Sequence, residues 1–117
     1  MLRFCLFCFV FSLLTITSFS QDMFQKNKVI AHRGAWKAQG HPQNSLASLN
    51  EAIRLGCEGS EFDVWMTADE VLVVSHDGDF EGIEIETSTY AQLLTKNLPN
   101  GEKIPTLKEY LAEGMKQ

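Results

Sequence analysis

The pattern of apolar and polar positions changes period several times along the chain, and each change marks an element. An apolar run fills residues 4–14, behind Arg3 and ahead of small and hydroxyl residues up to Ser20. That order is the one of a secretory signal peptide over residues 1–20, shorter than the ~20 apolar residues of a membrane span, with an uncleaved anchor as the plain alternative. Ser18 and Ser20 place the expected cleavage before Gln21. Residues 21–27 are a polar lead-in. Residues 28–31 then predict a short strand, KVIA, that stops abruptly at His32-Arg33-Gly34. Over 44–56, Leu46, Leu49, Ala52 and Ile53 recur at helical spacing, with Asn44 or Ser45 as N-cap and Gly56 as terminator. Across 60–66 the pattern alternates instead. Phe62, Val64 and Met66 take one face of an extended strand, and Glu61, Asp63 and Trp65 take the other. Residues 71–74, VLVV, predict a buried strand. Thr89 with Gln92, and Thr106 with Glu109, have the spacing of capping boxes. The first opens a helix over 90–96 with Leu93 and Leu94 as apolar contacts; the second turns Leu107, Tyr110 and Leu111 inward. Strand, helix, strand in this order opens an α/β fold whose parallel sheet needs helices around it.

Composition narrows the function classes. The chain has 117 residues, 44% hydrophobic and 21% charged, which suits one globular domain. Removal of residues 1–20 leaves 9 basic against 15 acidic side chains, the wrong sign for a nucleic-acid binder. Cys5 and Cys8 fall inside the export segment, so their spacing signals neither redox chemistry nor zinc. Cys57 is then left alone, without an internal disulfide partner. No cysteine follows the cleavage point directly, so a lipid anchor is not expected. The expected location is periplasmic or extracellular, with no stable membrane anchor after cleavage.

The unusual polar residues sit at strand ends. His32 and Arg33 lie at the carboxyl end of the first strand, the end that carries the chemistry in β/α barrels. Glu61 and Asp63, two apart on an extended segment, project from one face. Two carboxylates that close repel unless a cation lies between them, and Ca²⁺ or Mg²⁺ suits their hard oxygens; a solvent-facing acidic strand is the plain alternative. A hairpin turning at Ala68-Asp69 sets His76 opposite Glu61 and Val74 opposite Asp63, whereas a slip of one residue turns His76 to the other face. Asp77-Gly78-Asp79 imitates the start of a calcium loop, but Glu84 and Ser88 occupy the positions of an apolar residue and a bidentate Glu, so this stretch reads as an acidic loop. Trp36 and Trp65 are candidates either to line a cleft or to pack.

Taken together, His32-Arg33-Gly34, Pro42-Gln43-Asn44-Ser45, Glu61-Phe62-Asp63-Val64, Thr67 and Val73-Val74-Ser75-His76-Asp77 resemble the amino-terminal part of the glycerophosphodiester phosphodiesterase family. Ile104-Pro105-Thr106-Leu107 and Glu109 resemble that family's next helix start, so the likeness spans residues 28–111. It implies a TIM-like (β/α)₈ barrel, of which residues 21–117 are the amino-terminal portion, since a complete barrel runs to about 250 residues. Carried over position by position, the resemblance makes Glu61 and Asp63 ligands of a divalent metal, Ca²⁺ or Mg²⁺. His32 and His76 become the acid and base, and Arg33 a phosphate contact. Asn44, and Trp65 on the strand face shared with Asp63, are candidates for supporting or cleft residues. A third acidic ligand and a lysine would come from later strands. The reaction implied is cleavage of a small-molecule glycerophosphodiester to glycerol phosphate and an alcohol. A phospholipase-like relative acting on a lipid, and a non-catalytic binding protein or inert fragment of the same fold, are the alternatives. Two departures stand out. Gln43 replaces the family's common glutamate, and residues 80–89 replace its Leu-x-Arg-Thr-Thr stretch.

Overall fold

The computed structural model describes residues 28–117; the expected signal segment and the lead-in lie outside them. Strand β1, Ile30–His32, pairs in parallel with β2, Gly59–Glu61, and helix α1, Leu46–Arg54, makes the crossover between them. The register sets Ile30 against Gly59, Ala31 against Ser60 and His32 against Glu61, so a histidine and a carboxylate leave adjacent strands at one level.

The crossover helix is defined at both ends by side-chain and turn chemistry. The Ser45 hydroxyl accepts from Ser48 N at 3.0 Å, which makes Ser45 the N-cap. The helix has no acidic residue in its own first turn; Glu102 supplies one from a distant segment, accepting from Leu46 N at 3.0 Å and Ala47 N at 3.2 Å. At the other end Gly56 takes φ 71°, Gly56 N donates to Ile53 O and Cys57 N to Ala52 O. That pair of bonds is a Schellman closure, and it explains the glycine.

The alternating segment over 60–66 is not one strand. It divides into β2 and β3, Val64–Met66, which belong to different sheets, with Phe62 and Asp63 in the break. The partners change there: Glu61 O accepts from Arg33 N, whereas Asp63 O accepts from Ser75 N. Strand β3 runs antiparallel to β4, Leu72–Val74, with Val64 against Val74, Trp65 against Val73 and Met66 against Leu72. The expected hairpin register is therefore displaced by one residue: Val74 faces Val64 rather than Asp63, and His76 does not face Glu61. The turn is the reason. Thr67 pairs with Val71 through Thr67 N to Val71 O at 2.9 Å and Val71 N to Thr67 Oγ1 at 3.0 Å, which leaves a three-residue loop ending in left-handed Glu70, φ 63°. A three-residue loop closing on a left-handed residue is a standard hairpin connection, and it moves the pairing by one position. The loop is tied down by Asp69, whose carboxylate accepts from Thr67 Oγ1 at 2.6 Å and from Tyr90 N at 2.9 Å. Those two donors hold the Asp69 carboxyl below its ordinary range.

The segment read as an acidic loop contains a second hairpin, β5 (Asp79–Phe80) with β6 (Ile83–Glu84). Its two central residues, Glu81 and Gly82, are left-handed at φ 51° and 85°, the requirement of a type I′ turn. Helix α2, Tyr90–Leu93, is shorter than the 90–96 expected, because Thr95 N and Lys96 N bond three residues back and tighten the chain. Both capping boxes form as the spacing predicts, at Thr89 and at Thr106, the second opening α3, Leu107–Gly114. Tyr110 is buried, but Leu111 is exposed rather than inward, one residue and about 100° further round the helix. Leu72 is likewise exposed, which leaves Val73 and Val74 as the buried pair of β4.

Those two valines serve two cores. Val73 packs with Phe80, Ile85, Leu93 and Ile104, and Val74 packs with Leu49 and Tyr110. Alternation along the strand sends adjacent side chains to opposite sides, so β4 is the wall shared by both clusters.

Candidate functional site

The site begins where β1 ends. His32 is exposed, with Nε2 3.8 Å from Glu61 Oε2. Arg33 then turns left-handed at φ 59°, which brings its backbone N–H to Glu61 O at 3.0 Å and Glu61 Oε2 at 3.2 Å. Its carbonyl is fixed from the other side by Asn44 N at 3.0 Å and Ser48 Oγ at 3.1 Å. Gly34 is also left-handed, at φ 78°, and lies so close to α1 that a Cβ there would come 2.6 Å from the Ser48 carbonyl carbon. The His-Arg-Gly order thus has a steric reason: the glycine lets the strand end press on the helix while Arg33 swings over Glu61.

The guanidinium of Arg33 is held by two groups. Nη1 donates to Gln43 Oε1 at 2.9 Å, and Nε stands 3.7 Å from Asp63 Oδ2. Asp63 Oδ2 also accepts from Asn44 Nδ2 at 3.0 Å. Asn44 is only 2% exposed and left-handed, φ 58°, a conformation that asparagine tolerates better than most residues. Among the described residues, Arg33 Nε and Asn44 Oδ1 are buried without a hydrogen-bond partner. Five of the residues singled out in the sequence, His32, Arg33, Asn44, Glu61 and Asp63, therefore meet, with Gln43 as a sixth member.

His76 lies on the neighbouring wall. It shares a cleft with Gln43, Ser75, Asp77 and Phe80, and Gln43 is also bonded to Arg33. Its Nδ1 is 2.8 Å from Asp77 Oδ1, and its carbonyl accepts from the Trp65 indole Nε1 at 3.3 Å. Trp65 packs against the Val73 core and the backbone at Gly78, so it braces the His76 segment. Trp36 stacks under Lys37 Nζ at 5.2 Å and lines a separate hollow beside His32.

Glu61 and Asp63 provide hard oxygens that fit Ca²⁺ or Mg²⁺, and the hydrogen bonds named here fall on one oxygen of each carboxylate. The set is partial: among the described residues no three His, Cys, Asp or Glu side chains gather closely enough to hold an ion. Two parts of the arrangement are not legible in sequence. The link from Gln43 to Arg33 spans a loop with no periodicity to announce it, and Ser48 is an ordinary helix position by its spacing, with nothing to mark the close approach of Gly34.

A profile of the Glycerophosphoryl diester phosphodiesterase family matches residues 32–117. Among curated proteins, the chain is 35% identical over 99 residues to glycerophosphodiester phosphodiesterase 1 of Bos taurus, covering 72% of this chain and 29% of that protein. Among solved structures, a glycerophosphodiester phosphodiesterase from Parabacteroides distasonis is 55% identical with a TM-score of 0.72, over 76% of this chain and 37% of that one. A phosphodiesterase from Oleispira antarctica, in complex with the product sn-glycerol-3-phosphate, is 30% identical with a TM-score of 0.67, over 76% of this chain and 40% of its own. The described residues are accordingly a partial α/β unit of the TIM-barrel fold that these neighbours share, spanning under half the length of each. With the strand-end histidine, the left-handed arginine and the paired carboxylates in the matched region, the chain belongs to the glycerophosphoryl diester phosphodiesterase family.

Proposed function

We propose that the intact protein hydrolyses a small-molecule glycerophosphodiester to glycerol phosphate and an alcohol, using His32 and His76 as acid and base and Arg33 as phosphate contact. The observation that carries this reading is the convergence of Arg33 with Glu61 and Asp63 beside His32, at the carboxyl ends of two parallel strands. A guanidinium hydrogen-bonded through Nη1 and facing the Asp63 carboxylate with Nε can present its remaining amino group to a phosphoryl oxygen, and it neutralises charge that grows there in the transition state. One imidazole takes the proton of the attacking hydroxyl, which on a glycerol moiety can be the neighbouring hydroxyl of the substrate itself, and the other gives a proton to the leaving alkoxide; the cyclic phosphate so formed is then opened by a water, with the two imidazoles exchanging roles, to give glycerol phosphate. Asp77 holds Nδ1 of His76 and leaves Nε2 for that transfer. Glu61 and Asp63 would hold Ca²⁺ or Mg²⁺, which supplies further charge neutralisation at the phosphoryl group when bound. The likeness to a structure carrying sn-glycerol-3-phosphate supports a substrate of this class.

Incubation of the intact protein with glycerophosphodiesters should release glycerol phosphate. Chelation should abolish the release and added Ca²⁺ or Mg²⁺ should restore it. Turnover that persists undiminished in excess chelator would remove the two carboxylates from the proposed metal site. We further propose export through residues 1–20. Protein recovered from the periplasm or the medium should begin at Gln21, and a mature chain that retains Met1 would count against cleavage.

A further inference from the structure

We propose that Gln43 is a positioning residue that sets the affinity of the site for the phosphoryl group, by holding Arg33 through a neutral oxygen. This rests on the assignment of Arg33 as phosphate contact and goes beyond it. Three observations converge. Gln43 Oε1 accepts from Arg33 Nη1 at 2.9 Å. Arg33 Nε already faces the Asp63 carboxylate at 3.7 Å, so the guanidinium has one anionic neighbour before any substrate arrives. Gln43 also lines the cleft shared with Ser75, His76 and Asp77, so the same side chain that holds Arg33 borders the cleft of the second histidine. A carboxylate at position 43 would preserve the geometry but place a second negative charge on the same guanidinium. It would compete with the phosphoryl oxygens for Arg33 and repel them directly. The amide supplies the same acceptor without that charge, so the arginine keeps its net attraction for an anion.

The geometry separates holding from charge, and two substitutions test them one at a time. Gln43→Glu keeps the acceptor and adds the charge. It should raise KM for a glycerophosphodiester about tenfold and weaken inhibition by inorganic phosphate by a similar factor, with kcat changed less than KM. Gln43→Ala removes the acceptor and should lower kcat and raise KM together, because the guanidinium loses its orientation. Calorimetric titration with inorganic phosphate reads the same loss for Gln43→Glu without turnover, and thermal unfolding shows whether either variant is simply misfolded. Arg33→Ala is the reference. If it leaves KM and phosphate binding unchanged, the phosphate-contact assignment itself fails. If it weakens both while Gln43→Glu and Gln43→Ala behave as the unmodified protein, Arg33 stands and the role of Gln43 is overturned.

Discussion

Replacing His76 by alanine is expected to lower kcat for glycerophosphodiester hydrolysis by about 10²- to 10⁴-fold, the range of a lost general acid or base, and His32→Ala should do the same. The structure makes this a clean measurement. Both imidazoles are accessible, at 68% exposure for His32 and 36% for His76, and neither belongs to the two buried clusters. Their removal therefore leaves the melting temperature close to that of the unmodified protein, while turnover collapses. The two variants also differ in an informative way. His32 stands 3.8 Å from Glu61 at the end of β1, whereas His76 is held by Asp77 on the adjoining wall. Loss of either proton-transfer group should remove one limb of the pH dependence of kcat/KM, and different limbs for the two residues would assign acid and base. Full activity in both variants would dissolve the proposed chemistry while leaving the family membership intact.

Much of the site is legible in the sequence because its geometry is local. A strand ending in His-Arg-Gly and capping boxes at Thr89 and Thr106 each follow from spacing alone, and the structure has them, whereas the two acids expected on one face of a single strand fall at the end of β2 and in the break before β3. What the sequence does not reveal depends on contacts between distant segments or on turn detail. The β3–β4 register is set by left-handed Glu70 closing a three-residue loop, a conformation that glutamate rarely takes and that no pattern of polarity announces. That one-residue difference decides whether Val74 or Ser75 lies opposite Asp63, and it moves His76 off Glu61, so the position of the second histidine is the least readable part of the site. The β5–β6 hairpin is masked by the charges at Asp77, Asp79 and Glu81, although Glu81-Gly82 between apolar Phe80 and Ile83 is a signal for its turn. Glu102 as the acid for helix α1 is not readable at all, since it reaches Leu46 and Ala47 across more than fifty residues.

The largest stability effect is expected at Gly34, where one methyl group would separate the two halves of the site. At φ 78° an alanine is strained before any packing is considered, and its Cβ would lie 2.6 Å from the Ser48 carbonyl carbon, backbone that cannot rotate away. Relief requires α1 to move off the end of β1. That movement would break the Ser48 Oγ bond to Arg33 O and the Asn44 N bond to the same oxygen, and would carry Asn44 away from Asp63. Backbone strain and overpacking together should cost about 3 kcal/mol or more, a large share of the ~5–15 kcal/mol that a domain has. Gly56→Ala measures the backbone part of that cost by itself. Gly56 has nearly the same backbone angle, φ 71°, but nothing lies within 4 Å of the place an added methyl group would take, so the substitution should lose about 1–2 kcal/mol. Urea unfolding of the two variants side by side reads the difference. Equal midpoints would mean that the close approach of Gly34 to Ser48 contributes nothing to stability, and that the left-handed turn at Arg33 is held by its hydrogen bonds alone.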